Sequence, residues 1–178
     1  MTQTGKYGQV IWLTGISGAG KTTLALALVA DLKAKGVSVE LLDGDIVRDF
    51  FENDLGYTRK ERILNVKRIA FAAKLLADHG VCAVVANIAP FFEVRDFIRK
   101  KLPHYTQVYV KVSVDGARKR DVKGHYKKSS DGKLTDLIGV DDGYDEPRRA
   151  DLVLDTEALS QAEAVKRLLA LAHERLKL

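Results

Sequence analysis

Residues 15–22 read Gly15-Ile16-Ser17-Gly18-Ala19-Gly20-Lys21-Thr22 and match the phosphate-loop pattern G-x-x-x-x-G-K-[ST] at every fixed position. The apolar run 10–13 before the loop predicts a short buried strand, and the run 24–30 after it predicts a helix. A strand, a glycine loop and a helix in this order aim backbone N–H groups and the positive end of a helix at a polyphosphate. The stretch therefore predicts a site for a nucleoside triphosphate with Mg²⁺.

Each residue type in the loop suits that task. The glycines let the backbone bend back and approach the phosphates without a Cβ in the way. Lys21 places a point charge near the β- and γ-phosphates, and the Thr22 hydroxyl suits a Mg²⁺ ligand. The alternative, a glycine-rich turn that binds nothing, is disfavoured by the flanking strand and helix.

Length and composition predict one domain spanning residues 1–178. The chain is 46% apolar, which is ample for a core, and has no apolar run long enough to span a membrane. The N-terminus lacks an apolar signal region. The single cysteine, Cys82, lies in an apolar run, so we expect an inert core thiol and a reducing, cytoplasmic setting.

The net charge indicates the class of partner. A formal charge of +5 fits an anionic small molecule, and no basic stretch is interleaved with aromatic residues as nucleic-acid binding would require. We therefore expect a nucleotide-sized partner rather than nucleic acid or a membrane. Pairing with a second copy of the chain as a homodimer stays open.

The order of predicted elements indicates the fold class. Strands are predicted over residues 10–13, 37–42, 81–86, 107–112 and 151–154, and helices over 21–35, 59–79, 92–101, 115–121 and 160–176. Alternation of this kind predicts an α/β three-layer sandwich, a five-stranded parallel sheet covered on both faces, as in the P-loop NTPase fold. Ligands of such sheets bind at the carboxyl ends of the strands, where the phosphate loop also lies.

The polar segment 123–146 does not fit the alternation. It is rich in lysine and glycine. Long polar loops inside compact domains are lids or are disordered, and a basic loop beside a phosphate site favours a lid that closes over the nucleotide and excludes water.

An acidic segment follows the second predicted strand and should end at the same edge as the phosphate loop. A carboxylate there can orient an acceptor hydroxyl, take its proton or hold the metal through water. We assign that role to Asp45 and expect Asp43 to brace the loop. An ordinary Asp-Gly turn is the alternative.

A basic helix face comes next. Arg62 and Asn65 are three residues apart and share a face, and with Arg48 they can clamp an anionic acceptor, while Tyr57 can stack on a base. A solvated basic face is the alternative. Arg120 can cover the base of the donor nucleotide or stabilise the charge that develops during transfer. The alternative is a cation that only interacts favourably with the C-terminus of its helix.

With these motifs the chain resembles the adenylylsulfate kinase family, from about residue 10 to residue 156. The resemblance is carried by residues 11–23, the run Leu42-Asp43-Gly44-Asp45 with Arg48, the run Asp54-Leu55-Gly56-Tyr57, Arg62 with Asn65, and residues 73–78, 119–124, 126–128 and 152–156. It implies transfer of the γ-phosphoryl group of ATP, bound with Mg²⁺, to the ribose 3′-hydroxyl of adenylyl sulfate.

The resemblance also implies the roles of individual residues. The nucleotide-binding set is Gly15, Ser17, Gly18, Ala19, Gly20, Lys21, Thr22, Thr23 and Arg120, with Thr22 at the metal and Lys21 and Asp45 catalytic. The acceptor-binding set is Asp45, Arg48, Tyr57, Arg62, Asn65, Ile88, Ala89, Lys123 and Leu137.

Three departures from the family pattern cluster around the acceptor. Ala89 stands where the family usually has a serine, so a phosphorylated serine there is impossible, although direct in-line transfer does not need one. Leu137 replaces a phenylalanine that stacks on the acceptor's adenine, and Ser130 replaces an arginine. A kinase of the same fold acting on another modified nucleotide, such as a cytidine diphosphoramidate-type compound, therefore stays open.

Two other functions differ in class. A regulatory nucleotide-binding module without turnover would not need an intact Lys21, Thr22 and Asp45. A regulatory GTPase would carry the guanine-specifying run Asn-Lys-x-Asp, which is absent from the sequence.

We predict that Asp45→Asn leaves the Kd for Mg-ATP nearly unchanged and lowers kcat by about 10²-fold or more, because the amide cannot accept the proton of the acceptor hydroxyl. Calorimetry gives the Kd, and ADP release gives kcat. Equal turnover in the variant and the wild type would remove Asp45 from the mechanism.

Overall fold

A parallel β-sheet forms the centre of the computed structural model, which describes residues 7–102, 104–121, 124–131, 137–140 and 143–178. The strands in these ranges are β1 (Val10–Thr14), β2 (Val39–Asp43), β3 (Cys82–Ala86), β4 (Tyr105–Lys111) and β5 (Leu152–Asp155). Their order in the sheet is β2-β3-β1-β4-β5, and every neighbouring pair is parallel. The predicted five-stranded parallel α/β fold is confirmed.

Helices cover the sheet. They are α1 (Lys21–Ala34), α2 (Gly44–Phe50), α3 (Arg59–Asp78), α4 (Phe92–Lys101), α5 (Val114–Arg120), α6 (His125–Ser130) and α7 (Gln161–Leu176). Helix α1 packs against α7, and α3 packs against α4. Central strand β1 is buried along its whole length, as its uninterrupted apolar run predicts for a parallel strand covered on both faces. None of the helices in the described ranges combines the length and apolar character that crossing a bilayer requires.

Two helices were not predicted. The segment after β2 is the helix α2 rather than a turn, and Asp43 caps it by accepting a hydrogen bond from the Asp45 backbone N–H at 2.9 Å. Helix α6 interrupts the predicted polar loop 123–146, so that segment is not a continuous loop. Two strands begin two residues away from the predicted start: β2 begins at Val39 instead of residue 37, and β4 at Tyr105 instead of residue 107.

Helix α3 begins at a capping box. The Thr58 hydroxyl accepts from the Glu61 N–H at 3.4 Å, and the Glu61 carboxylate accepts from the Thr58 N–H at 3.1 Å and from the Thr58 hydroxyl at 2.6 Å. The Thr58 hydroxyl, followed by backbone N–H groups, holds the pKa of Glu61 below its usual value. The box therefore fixes where α3 starts, and with it the register of Arg62 and Asn65.

We predict that Thr58→Ala lowers the free energy of unfolding by about 1 kcal/mol at neutral pH, because the cap is lost. Urea unfolding measures the change, and Thr58→Ser, which keeps the hydroxyl, is the control.

The cost of Thr58→Ala should shrink in acid. The stabilisation that comes with a lowered carboxyl pKa is complete above the unfolded-state pKa of Glu61, near 4.5, and is lost as pH falls through the lower folded-state pKa. A cost that stays constant from pH 7 to pH 3 would show that the Glu61 carboxylate is not part of the cap.

Candidate active site

A cavity of about 560 Å³ opens at the edge of the sheet where β1, β2 and β3 end. Its volume lies within the usual range for a small-molecule site. The predicted residues that line it are Ser17, Gly18, Gly20, Lys21, Thr22, Thr23, Asp45, Arg48, Tyr57, Arg62, Asn65, Ile88, Ala89 and Leu137. Gly15, Ala19 and Arg120 lie outside the lining, and Lys123 lies outside the described residues.

The phosphate loop leaves β1 by a turn that only glycine accommodates. Gly15 has a φ of 149°, and a Cβ built on it would stand 2.2 Å from the carbonyl oxygen of Val110 in β4. At the other end of the loop, Gly20 has a φ of 99° and precedes α1 without a side-chain cap. Lys21, Thr22 and Thr23, the first residues of α1, line the cavity, so the positive end of this helix lies beside it.

The Lys21 ammonium contacts the backbone of the phosphate loop. Its Nζ donates to the Ile16 carbonyl at 2.8 Å, and the residue lines the cavity. The loop is also held from outside, because the Tyr126 hydroxyl donates to the Ser17 carbonyl at 2.9 Å. This arrangement places a cation and the end of a helix beside the same space.

Thr22 and Asp43 form the part of the site that suits Mg²⁺. The Thr22 hydroxyl donates to Asp43 Oδ2 at 2.8 Å, and Asp43 is 7% exposed. No cluster of three or more His, Cys, Asp or Glu side chains that would cage a metal occurs among the described residues. A hydroxyl, one or two nearby carboxylates and substrate phosphates are the set that Mg²⁺ uses with nucleotides, so the residues present fit the ion.

Asp45 occupies the first turn of α2 and lines the cavity. Asp43, the residue before α2, makes the contact to Thr22 of the phosphate loop.

A second group of residues lines the cavity from α2 and α3. Two guanidinium groups contact the Tyr57 ring, that of Arg48 at 4.6 Å and that of Arg62 at 5.0 Å from the ring centre. Arg48 donates to the carbonyls of Leu55 at 2.9 Å and Gly56 at 3.2 Å, and Arg62 Nε donates to the Tyr57 carbonyl at 2.7 Å. Backbone carbonyls of residues 55–57 therefore hold both guanidinium groups in position.

Apolar side chains form another part of the lining. Ile88 and Ala89 follow β3, and the Ile88 carbonyl accepts a hydrogen bond from the Thr14 hydroxyl. Leu137 and Ile138 also line the cavity and are 6% and 1% exposed. An apolar slot next to two arginines suits an anion with a flat organic group attached.

Arg120 lies beside the phosphate loop and not in the cavity wall. Its guanidinium donates to the Thr156 hydroxyl at 2.9 Å, to the Thr156 carbonyl at 2.7 Å and to the Gly18 carbonyl at 3.4 Å. These bonds join the end of β5 to the loop. The predicted contact of Arg120 with the donor base stays a prediction.

Among the lining residues that sequence reasoning did not assign to the site are Asn87, Asp121 and Tyr126. Asp121 and Tyr126 lie in runs that carry the family resemblance, so a signal for them was available. Asn87 directly follows β3, and only the fold reveals that it lines the cavity.

Comparison with known proteins agrees with this geometry. A profile of the adenylylsulphate kinase family matches residues 7–155. A Deinococcus deserti adenylyl-sulfate kinase is 46% identical over 162 residues, covering 91% of this chain and 90% of that protein. A Sorangium cellulosum protein named "Probable bifunctional SAT/APS kinase 2" is 41% identical over 167 residues, 94% of this chain, and this chain spans 29% of its length.

A solved structure gives the same result. The Mycobacterium tuberculosis APS kinase CysC, in complex with AMPPNP and APS, superposes with a TM-score of 0.88 at 32% identity, covering 94% of this chain and 98% of that one. The family profile spans the phosphate loop, both carboxylates and the two arginines that stack on Tyr57. The chain belongs to the adenylylsulphate kinase family.

Proposed function

We propose that this chain is an ATP-dependent adenylyl-sulfate kinase, which transfers the γ-phosphoryl group of ATP to the ribose 3′-hydroxyl of adenylyl sulfate. One observation carries the proposal. The phosphate loop, Asp45 and Tyr57 with its two neighbouring arginines all line one cavity. A donor and an acceptor held in that way meet inside a single space, as in-line transfer requires.

The donor half of the proposal rests on the loop. The amides of residues 15–22 and the Lys21 ammonium would hold the triphosphate, with Lys21 moving from the Ile16 carbonyl to the β- and γ-phosphates. Thr22, with Asp43 behind it, would hold Mg²⁺, which neutralises charge on the phosphate oxygens when bound.

The acceptor half rests on α2, α3 and the end of β3. Asp45 would orient the acceptor hydroxyl or take its proton, while Arg48, Arg62 and Asn65 hold the anionic group. The base would lie between Ile88 and Ala89 on one side and Leu137 on the other. Lys123 and closure of the segment 123–146 stay predictions of the same scheme, supported by the buried position of Leu137 on the wall.

Ala89 has no hydroxyl, so the phosphoryl group would pass directly to the acceptor. The aliphatic Leu137 favours one further candidate, a kinase of another modified nucleotide whose base is smaller than adenine. Both candidates share the donor half and differ only in the acceptor.

The setting and assembly are proposals as well. We propose a cytoplasmic enzyme, supported by the buried Cys82 thiol, whose pKa is raised to about 12 by desolvation and which is therefore inert. Self-association into a homodimer is supported by exposed apolar side chains on α2 and α3, among them Phe50 and Phe71.

The proposal is tested by following ADP release with adenylyl sulfate and with cytidine- and uridine-based diphosphate analogues as acceptors. We expect the highest kcat/KM with adenylyl sulfate, and no acceptor-dependent ADP release by Lys21→Met, which removes the ammonium. A higher kcat/KM with a pyrimidine nucleotide would favour the second candidate. Mg-ATP binding without acceptor-dependent ADP release would identify a non-catalytic module.

A further inference from the structure

The wall that follows β3 contains a backbone conformation that alanine seldom adopts. Ala89 is fully buried and has a φ of 41°, in the left-handed region that favours glycine. Its N–H donates to Asn87 Oδ1 at 3.0 Å. A non-glycine residue stays in this region only when its surroundings hold it there, and such residues cluster at functional sites.

The group that holds Ala89 from behind is Arg95. This residue lies in the first half of α4, is 4% exposed and is not among the residues that line the cavity. One guanidinium nitrogen donates to the Ala89 carbonyl at 2.7 Å, and the other donates to the Asp145 carbonyl. Arg95 therefore connects the cavity wall to a segment more than fifty residues further along the chain.

Asp145 lies against the chain that directly follows Ala89. The Asp145 N–H donates to the Pro90 carbonyl at 3.0 Å, and its carboxylate accepts from the Phe92 N–H at 2.8 Å. Arg95 and Asp145 thus hold the segment from Ala89 to Phe92 through side-chain and backbone hydrogen bonds.

The surroundings make this guanidinium hard to replace. Its carbon lies 5.2 Å from the Phe92 ring and 5.6 Å from the Tyr144 ring. Burial lowers the pKa of Arg95, which shows how thoroughly the charge is desolvated. A planar fork can serve two carbonyls at once, whereas an ammonium on a flexible stem cannot reproduce both bonds in the same geometry.

We propose that Arg95 is a positioning residue for the acceptor nucleotide: by donating to Ala89 and Asp145 it keeps Ala89 in its left-handed conformation and fixes the position of the cavity wall formed by Ile88 and Ala89. Arg95 does not touch the acceptor. The inference rests on the proposed function, because it assigns the slot to the acceptor and not to ATP.

The test measures KM for both substrates in Arg95→Lys. We expect KM for adenylyl sulfate to rise about tenfold or more, with KM for ATP within about twofold of the wild type, since displacement of the wall acts on the acceptor alone. Arg99→Lys is the matched control. Arg99 lies one turn further along α4 and donates to Gln107 Oε1 at 3.0 Å and to the Arg149 carbonyl at 2.9 Å, neither of which lines the cavity, so both KM values should stay unchanged.

A double-variant comparison separates positioning from general destabilisation. Glycine adopts a φ of 41° without steric cost, so Ala89→Gly removes the conformation that Arg95 has to enforce. We expect Arg95→Lys to raise KM for adenylyl sulfate by a smaller factor when Ala89→Gly is also present. An equal factor in both backgrounds, or equal changes in the two KM values, would overturn the proposal.

Thermal melting is recorded for every variant first. If Arg95→Lys fails to fold, Asp145→Ala replaces it, because that change removes the acceptor of the Phe92 N–H and loosens the same connection while keeping the guanidinium. An unchanged KM for adenylyl sulfate in that variant would overturn the inference. Failure of the wild type to turn over adenylyl sulfate would instead refute the proposed function.

Discussion

One carboxylate ties the two halves of the site together. Asp43 Oδ2 accepts from the Thr22 hydroxyl of the phosphate loop at 2.8 Å, and Oδ1 accepts from the backbone N–H of Asp45 in α2 at 2.9 Å. Because Asp43 is nearly buried at the end of β2, neither the loop nor the helix can move without breaking a charge-assisted hydrogen bond. Phosphoryl transfer offers the protein little covalent chemistry and depends on placement, so in the proposed function a rigid link between the phosphate loop and α2 matters more than a reactive side chain.

Hydrogen bonds from side chains outside the cavity to backbone carbonyls hold other parts of the site. Arg120 joins the Thr156 carbonyl to that of Gly18, and Arg95 joins the Ala89 carbonyl to that of Asp145. In each case a guanidinium donates to carbonyls that lie outside regular secondary structure. A buried carbonyl without a hydrogen bond would lower the free energy of unfolding. Arg95 of α4 and Arg120 of α5 therefore hold chain segments beside the cavity without lining it themselves.

The sequence predicted what depends on local pattern. The glycine loop between a buried strand and a helix fixed β1, α1 and the position of the site, and alternation predicted the parallel sheet. Helix α2 was missed because it is only seven residues long and carries the β-branched pair Ile46-Val47, although Asp43 in front of it was a usable N-cap signal. Helix α6 was missed because its run His-Tyr-Lys-Lys-Ser-Ser has no apolar periodicity.

Arg95 and Asp43 illustrate what a pattern cannot predict. An arginine on a helix usually indicates a solvated face, yet Arg95 lies on the buried face with Val94 and Ile98. Its partners are carbonyls at positions 89 and 145, which only the folded chain brings together. The sequence predicts that Asp43 braces its own loop but not that it binds Thr22. The two residues are 21 positions apart and follow different strands of the sheet, so only the folded chain brings them together.

The composition of the acceptor walls determines where selectivity must originate. Ile88, Ala89 and Leu137 offer apolar contact, which is non-directional and distinguishes poorly between flat bases of similar size. Arg48 and Arg62, by contrast, are held by backbone carbonyls and by the Tyr57 ring, so their guanidinium groups have fixed orientations. Charge-assisted hydrogen bonds are roughly twice as strong as neutral ones and lose their value when the geometry is wrong. In the proposed reaction the anionic group of the acceptor therefore sets both its orientation and its identity, and the base contributes mainly burial.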